Sequence, residues 1–115
     1  MSSQHTFGAA LIWSPFGDAE QAREVASTLL EEGLVGCANI LPQMLSVFRH
    51  EGQVQSSAEV GVLFKTNGAL LEAATQRLAQ LHPYDTPAIC GWMADSAPEA
   101  TREWLAELSP GGERQ

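Results

Sequence analysis

The side chains with chemical potential gather in two short stretches. One is "GCANIL", which contains Cys37; the other is "LHPYDTPAI", Leu81–Ile89. A cysteine thiolate is a soft ligand suited to copper or another thiophilic metal. A histidine is a ligand, a proton carrier or a hydrogen-bond donor, and His82 stands beside Tyr84 and Asp85 as the wall of a cleft would. The same residue types serve plain structural ends. A polar residue in the last turn of a helix bonds free carbonyls, and a cysteine on a strand packs in a core. From the residues alone both readings stay open. A closed metal site needs three or four ligands. The chain has no CxxC and no paired histidines, so a metal site has to be assembled from distant residues or from several chains. Glu59 and Lys65 are further cleft candidates. They share one face of a predicted strand roughly 20 Å apart and do not pair with each other. His5 lies near the terminus and His50 at a predicted turn, and neither is given a role. There is no GxSxG elbow, no glycine-rich phosphate loop and no HExxH, so no enzymatic reaction is read from motifs.

The elements that must hold these residues belong to one domain over 1–115, with an ordered core from about residue 6 to 108 and mobile ends. A hydrophobic share of 44% fits a folded soluble domain. Fourteen acids against six bases give a formal charge of −8. The bases are scattered, which argues against nucleic-acid binding and against anionic membranes. No apolar run approaches the ~20 residues of a membrane span. "MSSQHTF" lacks the pattern of a signal peptide, and Cys37 and Cys90 both lie in apolar runs that suit buried free thiols. The chain therefore reads as cytoplasmic.

"TFGAALIWS" predicts a central strand that ends at Pro15. Asp18 with Gln21 predicts a capping box, and Ala22, Val25, Ala26, Leu29 and Leu30 form an apolar helical stripe that Gly33 terminates. Leu34–Thr66 reads as one long hairpin, with a bulge or edge at Pro42 and a turn at Glu51–Gln53. Val60, Val62 and Phe64 alternate onto one face; Glu59, Gly61, Leu63 and Lys65 take the other. Asn67 is expected to cap a second helix with the stripe Leu70, Leu71, Ala74, Leu78 and Leu81. That helix stops at His82, because Pro83 disfavours helical geometry before it. "AICGWMA" predicts a short buried strand. A final helix follows, with a Ser96/Glu99 capping box, Pro98 in its first turn and the stripe Ala97, Thr101, Trp104, Leu105 and Leu108. The order is that of an α+β, ferredoxin-like βαββαβ sandwich with an extra C-terminal helix.

The hairpin outgrows that sheet. Its arms approach ~16 residues where strands are typically nearer ~6. The projecting part carries Met44, Leu45, Val47, Phe48 and Val54. An apolar edge of this kind aggregates unless covered, so these residues are predicted to form the interface of a closed ring of identical copies.

Taken in order, Cys37-Ala38-Asn39-Ile40, Pro42, Ser46, Glu51-Gly52, Glu59, Lys65-Thr66, His82-Pro83-Tyr84 and Pro87 resemble the CutA-type divalent-cation tolerance proteins. The resemblance runs from about Gly8 to Leu108 and takes in "EWL", Glu103–Leu105. It implies a tight homotrimer, similar in architecture to the PII signalling proteins, that binds copper or a similar divalent metal in a response to metal ions. It implies no accepted enzymatic reaction. Cys37 matches the cysteine of the family's "CxN" and, with His82, is the candidate metal pair. Glu59, Lys65 and Tyr84 match polar positions near intersubunit clefts, to which Asp85 is added. An alternative is a PII-like signalling or scaffold trimer that takes a small metabolite or a protein partner in those clefts. Animal relatives have been linked to membrane anchoring of an acetylcholinesterase, a different class of role. The chain departs from the pattern at Phe48-Arg49-His50, where the family favours large aromatics, and at Gln53, which removes a positive charge.

Overall fold

The computed structural model describes residues 8–110. The predicted mobile ends, and the first two residues of the predicted opening strand, Thr6 and Phe7, lie outside them. Seven elements follow in order: β1 (Ala9–Phe16), α1 (Ala19–Glu31), β2 (Cys37–His50), β3 (Gln53–Asn67), α2 (Leu71–Leu81), β4 (Cys90–Met93) and α3 (Glu99–Ala106). One antiparallel sheet has the order β2-β3-β1-β4. This is the βαββαβ arrangement with an added helix.

Strand alternation divides the sheet into two faces. Ala10, Ile12, Ser14 and Phe16 on β1 and Val60, Val62, Phe64 and Thr66 on β3 point to the helix side and are buried. The buried helix residues Ala22, Val25, Ala26, Leu29, Ala74 and Leu78 close that core. At ~1.5–3 kcal/mol for each fully buried large side chain, this layer is the main source of stability. The opposite face carries Leu11, Trp13, Leu41, Leu63 and Trp92; α1 and α2 do not pack on it, and α3 meets the sheet at the Asn67 end.

Local signals explain most boundaries. The Asp18 side chain accepts from Gln21 N–H at 2.8 Å and starts α1. Gly33, at φ +75°, ends it where a Cβ would overlap the Ser109 carbonyl. The α1 end is tied to α2 by Glu32 and Arg77, whose two contacts are 2.8 and 2.7 Å long. Glu51 and Gly52, at φ 52° and 79°, make the two-residue turn that matches strand twist. Between Leu41 and Met44 the β2–β3 register shifts by one extra residue, and Gln43 takes φ 60°. This bulge lets Pro42 sit without a ladder donor.

Several expectations are corrected. β1 does not stop at Pro15 but runs to Phe16. β4 pairs with β1 only from Ala10 to Trp13. The backbone N–H and C=O groups of the odd-numbered β1 residues are directed toward β4, as the Ala94 N–H to Ala9 carbonyl bond shows. The missing Pro15 N–H thus falls on a flank that no strand covers. β4 is exposed rather than buried, because it is an edge strand whose helix-facing positions are Gly91, pressed close under Leu71 and Thr75, and the half-buried Met93. Cys90 is accordingly exposed, and Cys37 is half-buried; both are free. Leu30 and Trp104, placed in apolar stripes, are exposed, and Leu105 alone of its predicted stripe is buried. Ser96 does not cap α3, whose N-cap is Pro98. Asn67 is the last residue of β3, not a helix cap. Its side chain accepts from Leu70 N–H at 3.0 Å and donates to the Leu105 carbonyl at 2.8 Å, pinning α3 to the sheet.

Candidate functional site

The structure separates the predicted site residues into two groups. His82, Tyr84 and Glu59 meet at one end of the sheet; Cys37 and Lys65 lie at the other. Pro83 ends α2 and leaves His82 as an extended C-cap, φ −67° and ψ 135°. This turns the His82 ring down against the uncovered end of β1. Its Nε2 is 2.9 Å from the Pro15 carbonyl, and its Nδ1 is 3.2 Å from Tyr84 N. A carbonyl only accepts and an amide N–H only donates. The ring is therefore neutral, with its proton on Nε2. His82 is 6% exposed and stacks on Phe16 at 4.1 Å. Burial pushes its pKa below the ordinary histidine value, against the Pro15 hydrogen bond and the Glu59 charge.

Tyr84 continues the cluster. Its hydroxyl donates to Glu59 Oε2 at 2.6 Å, a short charge-assisted bond. Burial, then the Glu59 bond and the charges of Glu59 and Asp18, raise the phenol to about 12. Gly17 lies beside the hydroxyl with ordinary room for a Cβ. Asp85 is exposed, next along the segment.

At the far end Cys37 and Lys65 are partners on adjacent strands, both half-buried on the helix-free face. Cys37 Sγ donates to Asn39 Oδ1 at 3.6 Å. His82 stands on the helix side, beside Phe16, so the proposed metal pair Cys37 and His82 does not converge within one chain. Both His82 nitrogens are also engaged, which corrects its reading as an open ligand. Among the described residues no three His, Cys, Asp or Glu side chains gather as a metal set. The described residues of one chain do not by themselves fit a closed metal centre.

Sequence reasoning grouped His82, Tyr84 and Asp85 as one cleft wall with Glu59 near it, but missed the hydrogen bonds that link His82, Tyr84 and Glu59 in one chain. It also missed the Pro15 carbonyl; a proline inside a strand run is the signal that an uncovered flank needs a donor.

The CutA1 divalent ion tolerance protein family matches residues 10–108. The chain belongs to that family. It is 38% identical over 97 residues to the divalent-cation tolerance protein CutA of Pyrococcus horikoshii, covering 84% of this chain and 94% of that one. It is 30% identical to the chloroplastic protein CutA of Arabidopsis thaliana, over 90% of this chain and 57% of that one. Its fold superposes on the divalent cation tolerance protein of Thermus thermophilus with a TM-score of 0.82 at 30% identity, covering 88% and 98% of the two chains. The CutA fold and the sequence motifs thus agree along nearly the whole described length. No helix among the described residues is long and apolar enough to cross a membrane.

Proposed function

We propose that this CutA-family chain works as a homotrimer that binds copper or a similar divalent cation in a response to metal ions. The observation that carries the assembly is the arm beyond the sheet. β1 ends opposite Val60, so from Met44 to Glu59 the hairpin is a bare two-stranded ribbon. On it Leu45, Val47 and Val54 are 72%, 66% and 68% exposed. Two-stranded ribbons are marginal in water. Sister copies that cover this arm and the helix-free face supply the missing burial, with Met44 and Phe48 at the same interface.

Cys37 is the retained candidate ligand. It lies on the helix-free face beside the free β2 edge, where groups from neighbouring copies complete a coordination set. No reaction is assigned, and free thiols fit a reducing cytoplasm. Calorimetric titration with Cu(I) and Cu(II) tests the metal reading. Saturable uptake that Cys37→Ala reduces is the expected result, and no saturable binding at micromolar protein contradicts it. The alternative, a PII-like trimer taking an anionic metabolite, has one observation in its favour. The Lys65 ammonium, half-buried on the helix-free face, has no ion pair among the described residues. A thermal shift with anionic metabolites and none with metals would favour that reading.

A further inference from the structure

The His82 cluster is used by neither reading above. The segment Pro83–Ala88 joins α2 to the edge strand β4 and belongs to no helix or strand. Among the described residues, two hydrogen bonds hold it. They are Tyr84 N–H to His82 Nδ1 and the Tyr84 hydroxyl to Glu59. Both pass through Tyr84, and its ring lies 4.8 Å from the imidazole.

We propose that His82 is a proton-operated latch on this segment: neutral, it holds Tyr84 through Nδ1, and protonated at Nδ1 it releases the Tyr84 N–H and frees Pro83–Ala88. The switch is geometric. Nε2 already carries the proton donated to Pro15. A second proton has to enter at Nδ1, where it faces the Tyr84 amide hydrogen head-on. Two donors cannot share one hydrogen bond, so the ring or the segment moves. The ring has no slack of its own, since it is stacked on Phe16 and bonded to the end of β1. The segment, exposed at Pro83, Asp85, Thr86 and Ala88, is the part that gives way.

The charged surroundings do not cancel this effect. β3 contributes the Glu59 carboxylate, which favours the cation. The cap of α1 contributes Asp18 on the Tyr84 side, and the segment contributes Tyr84 and the exposed Asp85. β1 offers only the Phe16 ring and the Pro15 carbonyl. Burial of the ring outweighs the Glu59 charge, so the charge arrives only below the ordinary histidine range. The latch is closed at neutral pH and opens as pH falls through the lowered His82 pKa. Its consequence is local: freedom of the segment that feeds β4, the edge on the far side of the sheet from the arm.

Nuclear magnetic resonance on the full chain tests it. At about pH 7.5 the imidazole nitrogens should report the neutral Nε2–H form. As pH falls from about 7.5 through the His82 titration, the protection of the Tyr84 amide, corrected for intrinsic exchange, should fall about tenfold or more, with the midpoint of that titration. Glu59→Gln should retain the fall, and His82→Gln should make protection independent of pH over that range. A proton on Nδ1 at pH 7.5 overturns the proposal. So does a fall that survives in His82→Gln or disappears in Glu59→Gln. Where His82→Gln does not fold, the imidazole spectrum of the unaltered chain and the Glu59→Gln result decide.

Discussion

Single atoms set the energetics at the His82–Tyr84 end of the sheet. Tyr84→Phe removes the donor to Glu59 and leaves a part-buried carboxylate without it. The expected loss is about 1.5–3 kcal/mol at neutral pH, read as a lower urea midpoint, and the loss in Glu59→Gln should be smaller, because its neutral amide oxygen still accepts from the hydroxyl. The phenol also gives a signed pH dependence. Its folded pKa of about 12 stands above the unfolded value near 10, so its stabilisation is complete below the unfolded value. Stability should decline as pH rises through that window, and Tyr84→Phe should flatten this part of the profile. Ser14 presents the opposite case. Its Oγ is fully buried and has no hydrogen-bond partner among the described residues. Ser14→Ala removes that unpaired hydroxyl and should raise stability by about 1 kcal/mol in urea unfolding. A loss of that size would show that the hydroxyl has a partner.

Elements were legible in the sequence where one local signal decides them. Asp18 and Gly33 bracket α1, Pro83 stops α2, and Glu51-Gly52 turns the hairpin, because each needs only its own backbone geometry. Legibility failed where a neighbour decides. "AICGWMA" is as apolar as a buried strand, yet its place at the sheet edge leaves Cys90 and Trp92 exposed. Leu30 and Trp104 fit helical stripes, but the chain covers them only in part and leaves 41% and 45% of them exposed. Cys37 and His82 each read as a ligand from residue type, whereas the fold puts Cys37 on the face opposite the core and His82, a helix cap, beside Phe16. Close packing on the helix-free face gives a test at this scale. A Cβ at Gly61 would overlap the Trp13 ring and stand 3.1 Å from Met44 Sδ. Gly61→Ala should therefore cost about 1–3 kcal/mol through overpacking, seen as a lower unfolding midpoint. An unchanged midpoint would mean that Trp13 moves freely.

The described residues span 45 × 29 × 21 Å, elongated because the hairpin projects past β1. The one-residue bulge after Leu41 sets what the arm displays. It places Met44, Ser46 and Phe48 with the helix-free face and turns Leu45 and Val47 to the side that continues the core face. That side has no helix beneath it at arm level, so both arm faces present apolar side chains. The arm is where the proposed assembly has most to gain: each large apolar side chain buried there returns ~1.5–3 kcal/mol. Replacing Leu45 and Val47 together by glutamate should dissociate the assembly while the core of each chain stays folded. Sedimentation velocity at dilute loading tests the central claim most directly. The account predicts a species of three times the 12.4 kDa chain mass, and a smaller one for the doubly substituted arm. A stable, well-behaved 12.4 kDa monomer of the unaltered chain would contradict it.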